Sequence, residues 1–176
     1  IISALIPIFF LGTYGYFLVK NKIGENEMEK IELVFYSQKF EFNSIYNNSK
    51  TILNIVETLV KEYDESKDNK KNLNYMLNNI AIKNKEVQNI FWGSSNGEIY
   101  TSNIELPTDY DPRSQPWYIG SLDFKNKNLS TITYKFIDGE KGTAITKKVY
   151  DKDGLFNGVI GLDINFTDLE KNWKTL

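Results

Sequence analysis

The sequence predicts an α+β fold, with helices in the first part of the chain and an antiparallel sheet in the second. Apolar residues recur at helical spacing after Gly24, whereas short alternating segments separated by turn residues fill the second half. Helices followed by a meander of strands are typical of the α+β class. The 176 residues suffice for one domain with a hydrophobic core, not for two large domains.

The composition excludes several classes of function. A net charge of −2 argues against a nucleic-acid surface, which requires an excess of basic residues. The chain has no histidine, which excludes histidine-based triads, histidine metal sites and imidazole acid–base chemistry. It also has no cysteine, so disulfides hold nothing together. We expect no bound metal and no cofactor.

Residues 1–20 are predicted to form a transmembrane helix. They carry no charge before Lys20, and about twenty apolar residues span the core of a bilayer. Tyr14, Tyr16 and Phe17 cluster near one end, as an interfacial belt of aromatics would. A secretory signal is the alternative, but its apolar region is normally shorter and ends at a cleavage site of small residues. From this predicted helix we expect the protein to be located in the cell membrane.

Residues 21–66 are predicted to form one long helix with a single apolar seam. The seam comprises Met28, Ile31, Phe35, Phe42, Ile45, Ile52, Val56, Leu59 and Tyr63, and the polar Gln38 and Ser49 complete its alternating spacing of three and four. The seam could pack on the sheet of its own chain or on another subunit. We favour packing on the sheet, with contact to a second copy near the membrane-proximal half.

The remaining pattern predicts one shorter helix and about five strands. The helix covers residues 73–83, and the strands cover residues 87–92, 98–101, 130–136, 143–150 and 155–164. Turn sequences at 94–97, 138–142 and 151–154 separate neighbouring strands. A capping box at 167–170 indicates the start of a terminal helix.

The most informative segment, residues 111–118, reads Asp-Pro-Arg-Ser-Gln-Pro-Trp-Tyr. Its two prolines fix the backbone twice in eight residues. Large aromatics held on a stiff loop suit the wall of a small-molecule pocket. A rigid corner whose aromatics fill the core is an equally good interpretation of the residues alone.

With the preceding tyrosine, this segment resembles the signature of the double Cache sensor family, which reads Tyr, Asp-Pro-Arg, any residue, Arg, Pro, Trp-Tyr. Residues 158–164, Gly-Val-Ile-Gly-Leu-Asp-Ile, resemble the strand that ends its ligand-binding module. The resemblance covers about residues 24–170. It implies a PAS-like Cache module at 67–170, with an antiparallel five-stranded sheet packed on the long helix. Residues 171–176 would begin the connection to a membrane-proximal module.

The resemblance also implies roles for individual residues. The motif positions expected to be structural are Asp111, Pro112, Arg113, Pro116, Gly158 and Gly161. The positions expected to contact a ligand are Tyr110, Gln115, Trp117, Tyr118, Tyr134 and Asp163. In the amino-acid-binding members of the family, an arginine and the tryptophan hold the ligand carboxylate, while the strand aspartate and the aromatics hold its ammonium group.

Two positions depart from the family pattern. Gln115 replaces the arginine, and an amide cannot equal the bidentate, charge-assisted contact of a guanidinium with a carboxylate. Phe136 stands where a second ammonium-binding aspartate belongs. The departures suggest an amine without an essential carboxylate, held by Asp163 and by cation–π contacts. Arg113 could substitute for the missing arginine, but we expect it to stabilise the corner.

The resemblance therefore implies an extracytoplasmic sensor domain that binds an amine or amino-acid-like ligand and is not an enzyme. The expected whole protein is a methyl-accepting chemotaxis receptor. A histidine kinase or a diguanylate cyclase is the alternative, and an exported hydrolase using carboxylates is a distant third. The expected partners are the small ligand, the membrane and, in the full receptor, a second copy of the chain.

Overall fold

The computed structural model describes residues 25–63, 70–123, 129–136, 139 and 141–164. The predicted transmembrane helix at 1–20, the predicted terminal helix and the connection at 171–176 lie outside the described residues. Within the ranges given, no helix is long and apolar enough to cross a membrane. The chain divides into two compact units, Ile1–Ile45 with Leu176 and Tyr46–Thr175.

The first helix, α1 (Glu25–Glu62), runs for 38 residues. Its apolar seam is buried only in the C-terminal half, where Ser49, Ile52 and Val56 are at most 3% exposed. Leu53 and Val60, which the predicted seam does not contain, are also fully buried. In the N-terminal half, the seam residues Ile31, Phe35 and Phe42 are exposed instead; the additional exposed apolar residues of this half are Leu33, Tyr36 and Phe40.

The second helix, α2 (Lys70–Ala81), buries Leu73, Leu77 and Ala81. These residues are three to four positions apart, so they lie on one face of the helix. The helix begins three residues before the predicted start and ends two residues before the predicted end.

Five strands follow, and they form one antiparallel sheet, as predicted. They are β1 (Val87–Ser94), β2 (Ile99–Thr101), β3 (Ser130–Lys135), β4 (Lys141–Tyr150) and β5 (Phe156–Ile164). Their order across the sheet is β2-β1-β5-β4-β3, so the last strand in the chain is the central one. Of the predicted fold class, the long helix and the five-stranded antiparallel sheet are thus confirmed.

The two faces of the sheet have different partners. Lys147 of β4 is paired with Ile160 of β5, and its ammonium group contacts Glu57, so this face lies against the C-terminal part of α1. The opposite face carries Phe91, whose ring packs against Trp117 with the centroids 4.5 Å apart. Because side chains alternate along a strand, Val159, Gly161 and Asp163 of β5 lie on this second face.

Residues 112–114 and 116–123 are helical where the sequence predicts a stiff loop. Asp111 caps a short 3₁₀ helix (Pro112–Ser114) by accepting a hydrogen bond from the Arg113 backbone nitrogen. The helix α3 (Pro116–Asp123) follows directly and buries Trp117 and Tyr118 in its first turn. Proline at the first helical position is favoured because its fixed φ suits the helix and its missing N–H has no partner there.

Two glycines of β5 allow close packing. Gly158 has φ +120°, and a side chain there would place Cβ 2.1 Å from the carbonyl oxygen of Gly93 on β1. At Gly161, a Cβ would lie 2.5 Å from the ring of Phe91. The glycines therefore let β1 and the Phe91 ring approach the centre of the sheet, which brings Phe91 against Trp117.

Candidate ligand-binding site

A cavity of about 90 Å³ lies between the second face of the sheet and the segment that leads into α3. A single water molecule requires about 10–15 Å³ by the same measure, so the cavity has room for a small metabolite or part of one. The described residues that line it are Asn89, Phe91, Ile99, Thr101, Ile104, Leu106, Tyr110, Gln115, Trp117, Tyr134, Lys135, Phe136 and Asp163. Five of the six residues expected to contact a ligand are in this lining; the sixth is Tyr118.

Asp163 is the acidic residue among the described lining residues. It is 4% exposed and belongs to the central strand β5. The hydroxyl of Tyr134 donates a hydrogen bond of 2.7 Å to its Oδ1 atom, and the side-chain amide of Asn89 donates one of 3.4 Å to its Oδ2 atom. Hydrogen bonds donated to a carboxylate favour its ionised form and so oppose the cost of burying the charge.

Asn89 is held in place by Ser102. Its Oδ1 atom accepts hydrogen bonds from the Ser102 hydroxyl at 2.9 Å and the Ser102 backbone nitrogen at 3.3 Å. The hydroxyl oxygen of Ser102 in turn accepts one of 3.0 Å from the backbone nitrogen of Ile90. Asn89 and Ser102 are both buried. Because its oxygen is fixed by Ser102, the amide group of Asn89 presents its nitrogen to Asp163.

Tyr110 and Trp117 are joined at the opposite wall. The indole nitrogen of Trp117 donates a hydrogen bond of 3.1 Å to the Tyr110 hydroxyl. Burial raises the pKa of Tyr110, the bond from Trp117 partly offsets this, and the charge of Asp163 raises the pKa further. Burial, followed by the charge of Asp163, also raises the pKa of Tyr134 far above its ordinary value, so both phenols stay neutral.

Gln115 lines the cavity but its side chain is engaged within its own segment. Its Nε2 atom donates to the backbone oxygen of Asp111 and to the hydroxyl of Ser114, both at 3.2 Å. The amide therefore replaces the expected arginine in position without presenting a positive charge.

Arg113 points to a structural partner. Its guanidinium group donates to both carboxylate oxygens of Asp111 at 2.8 to 3.2 Å, and these hydrogen bonds hold the pKa of Asp111 below its usual range. The same group lies over Gly97 in the turn between β1 and β2, within 2.9 Å of where a Cβ would stand. The geometry thus favours a role for Arg113 in holding the corner against the hairpin.

Tyr118 lies behind the cavity wall, in the core. It is 3% exposed and packs edge-on against Trp117 and Phe156, with ring centroids 5.5 and 6.3 Å away. Burial raises its pKa, although the charge of Arg113 opposes the shift. Tyr118 therefore supports Trp117.

Several lining residues were not anticipated from the sequence. They are Asn89, Phe91, Ile99, Thr101, Ile104, Leu106 and Lys135, together with Phe136, which was noted only as a departure from the family pattern. For Asn89 a signal exists, because it is an amide within a strand that otherwise becomes continuously apolar. The residues of the irregular segment after β2 carry no periodic signal.

A family model described as the first PDC sensor domain of methyl-accepting chemotaxis protein-like proteins matches residues 56–171. The match covers the C-terminal end of α1, the whole sheet and every described residue of the cavity lining.

Two curated relatives are chemotaxis proteins. The chain is 26% identical over 136 residues to the methyl-accepting chemotaxis protein McpB of Bacillus subtilis, covering 76% of the chain and 20% of that protein. It is 23% identical over 176 residues to a probable methyl-accepting chemotaxis protein of Bacillus thuringiensis, covering 99% of the chain and 26% of that protein. The chain thus spans about a fifth to a quarter of the length of these relatives.

Solved structures share the fold. The ligand-binding domain of the Pseudomonas aeruginosa amino acid chemoreceptor PctC, in complex with GABA, has a TM-score of 0.67 at 17% identity, covering 82% of this chain and 66% of that one. The ligand-binding domain of the Campylobacter jejuni chemoreceptor Tlp3, in complex with L-norvaline, has a TM-score of 0.63 at 20% identity. The match covers 80% of this chain and 58% of that one.

Proposed function

Because the chain belongs to the family of the first PDC sensor domain of methyl-accepting chemotaxis protein-like proteins, we propose that it senses a small amine or amino-acid-like ligand outside the cytoplasm. The ligand binds in the cavity between the sheet and the start of α3. Its cationic group lies against Asp163, with Tyr110, Trp117 and Tyr134 around it.

The observation that carries this proposal is the charge inside the cavity. Asp163 is a buried carboxylate, and the other basic or acidic residue of the described lining is Lys135. Lys135 is exposed and lies on β3 between two residues that face the cavity, Tyr134 and Phe136, so strand alternation directs its side chain to the other face. The interior therefore favours a positive charge, and a neighbouring cation contributes to keeping the carboxylate ionised.

The neighbouring structures are compatible with this class of ligand. The structures of PctC with GABA and of Tlp3 with L-norvaline both contain molecules that carry an amino group. Gln115 in place of an arginine makes a ligand carboxylate less important in this chain, so amines without one fit best.

For the whole protein, we propose a membrane-bound chemoreceptor. The two chemotaxis relatives favour this output over a histidine kinase or a diguanylate cyclase. Residues 1–20 anchor it in the membrane, and a second copy covers the exposed apolar residues of the N-terminal half of α1. The domain binds its ligand without chemical turnover.

Isothermal titration calorimetry tests the proposal. The 176-residue chain, in micelles of an uncharged detergent, is titrated with a panel of primary, secondary and quaternary amines and amino acids. We expect micromolar to millimolar binding of at least one cationic ligand, recovered unchanged. Asp163→Asn should weaken it by at least tenfold, because a charge-assisted contact is lost; such contacts contribute about 1.5–3 kcal/mol.

The matched control is Glu98→Gln, which removes one acid from an exposed pair with Lys70 at the β1–β2 hairpin. It changes the net charge equally but should leave affinity unchanged. If no amine or amino acid binds to the folded chain, or if both variants weaken binding alike, the proposed function is wrong.

A further inference from the structure

The walls of the cavity are unusually rich in aromatic side chains. Phe91, Tyr110, Trp117, Tyr134 and Phe136 all belong to its described lining. Two pairs of these rings are in direct contact: Tyr134 meets Phe136 edge-on with centroids 5.2 Å apart, and Phe91 packs against Trp117 with centroids 4.5 Å apart. Aromatic surfaces around a negative charge attract cations through the ring quadrupole, without requiring the cation to donate a hydrogen bond.

Several side-chain donors around this cavity are directed at protein acceptors. The indole N–H of Trp117 is used by Tyr110, and the hydroxyl of Thr101 donates to the backbone oxygen of Ile104 at 3.0 Å. The amide of Gln115 is used by Asp111 and Ser114. A ligand carboxylate that binds to these donors would have to displace their present bonds, which lowers the affinity for zwitterions.

The carboxylate of Asp163 already accepts a hydrogen bond on each oxygen, from Tyr134 and from Asn89, so at least two of its roughly four acceptor sites are taken. A primary ammonium group brings three N–H donors that each need an acceptor, and a buried donor without one is costly. A fully methylated ammonium group brings none. It needs the charge of the carboxylate and apolar or aromatic surface around its methyl groups, and this cavity supplies both.

We propose that the cavity selects methylated ammonium compounds over primary amines and over zwitterionic amino acids. This inference rests on the proposed sensor function and names the ligand class of the same site. Asp163 supplies the attracting charge at the end of the cavity, while Tyr110, Trp117, Tyr134 and Phe136 contact the methyl groups.

The test uses three compounds that differ only in methylation: ethanolamine, N,N-dimethylethanolamine and choline. Calorimetry on the 176-residue chain at neutral pH, where all three are cations, should give affinities that rise with each step. Choline should bind at least tenfold more tightly than ethanolamine. The uncharged isostere 3,3-dimethyl-1-butanol, which has carbon in place of nitrogen, separates charge from apolar contact and should bind at least tenfold more weakly than choline.

Two variants test the cause of the selectivity. Tyr134→Phe keeps the aromatic ring but frees Oδ1 of Asp163 to accept an N–H from the ligand, so the ratio of choline to ethanolamine affinity should fall severalfold. Phe136→Leu keeps the hydrogen bonds to Asp163 but removes one aromatic ring, so the affinity for choline should fall more than the affinity for ethanolamine. Thermal unfolding shows whether each variant is folded, and the ratio of affinities reports selectivity independently of any general loss.

The outcomes separate the two proposals. Equal or tighter binding of ethanolamine, or equal binding of the uncharged isostere, overturns the selectivity but leaves the sensor function in place. The same holds if an amino acid binds and none of the methylated compounds does. If no amine and no amino acid binds to the folded chain, both proposals fail.

Discussion

The hydroxyl of Tyr134 reaches the carboxylate of Asp163 across the full width of an intervening strand. Tyr134 lies on β3 and Asp163 on β5, and β4 separates them. At this level β4 carries two small residues on the same face: Gly142, paired with Tyr134, and Ala144, paired with Asp163. The 2.7 Å hydrogen bond therefore depends on the absence of bulk on β4.

Ala144→Val should disrupt this contact. Ala144 is fully buried, and the two added methyl groups would occupy the path of the Tyr134 side chain. We expect the affinity for a cationic ligand to fall at least tenfold, and overpacking to lower the free energy of unfolding by about 1–3 kcal/mol. Calorimetry and chemical denaturation measure the two effects. Thr143→Val, on the neighbouring position that faces the other way, should leave affinity unchanged; if it weakens binding equally, the contact is not the cause.

Gln115→Arg should restore binding of α-amino acids. The arginine would present a guanidinium group at the cavity wall, where the glutamine amide now bonds within its own segment. One added charge-assisted contact contributes about 1.5–3 kcal/mol, or roughly ten- to more than a hundredfold in affinity. A titration of the variant and the unaltered chain with the same amino acids measures the gain. Gln115→Lys adds a positive charge without the planar, bidentate guanidinium group, so its gain in affinity for amino acids should be smaller. Tight binding of an amino acid by the unaltered chain would contradict the inference from Gln115.

Arg113→Ala should leave ligand affinity nearly unchanged. The Arg113 side chain is 50% exposed and paired with Asp111, so it belongs to the corner rather than to the cavity wall. A pair this exposed to solvent contributes little to stability, so denaturation should detect at most a small loss. Asp111→Ala removes the same ion pair and also the cap of the 3₁₀ helix, so it should lower stability more than Arg113→Ala does. A tenfold loss of affinity in Arg113→Ala with normal stability would show that Arg113 binds the ligand.

Glu57 should make stability depend on pH in the acid range. Burial raises the pKa of Glu57, but hydrogen bonds and charges from Lys147 and Lys61 more than offset this and lower it overall. A carboxyl group with a lowered folded pKa stabilises the fold above its unfolded pKa, and that stabilisation disappears as the pH falls through the folded value. The contribution of about 1 kcal/mol at neutral pH should therefore shrink below about pH 5.

Denaturation curves of the unaltered chain and of Glu57→Gln, measured from neutral to acid pH, check this expectation, since the two should converge as the pH falls. Glu62→Gln is the matched control on the same helix, because Glu62 and its partner Lys152 are 69% and 64% exposed. It should change stability little at any pH. Curves for Glu57→Gln that stay parallel to the unaltered chain would contradict the assigned pairing.

The sheet was predictable from the sequence because its strands are short runs rich in β-branched and aromatic residues and its turns contain glycine or asparagine. Val87, Tyr100 and Val149 fall in strands where the pattern places them. The seam of α1 was less predictable, because spacing identifies a face but not what covers it. Ile31 and Phe35 continue the same spacing as Ile52 and Val56, yet only the second pair is buried in the described structure.

The candidate site was predictable as far as its motif residues. Tyr110, Trp117 and Asp163 lie 7 to 53 positions apart in sequence, and their common cavity depends on the sheet order, which local patterns do not encode. The helix after Pro116 was missed because two prolines in one segment favour a loop interpretation. Ser102 was missed because its hydrogen bond to Asn89 joins two separate segments of the chain and leaves no local signal.

The small residues of β4 have a consequence for how such a site changes its specificity over time. The ring of Phe136 fills the space that a side chain on Gly142 would need, with its nearest atom 1.7 Å from the Cβ position. Enlarging Gly142 first would therefore clash, whereas replacing Phe136 first would leave a gap that a later change at Gly142 could fill. A change of ligand specificity that needs both substitutions can therefore proceed through Phe136 first, but not through Gly142 first.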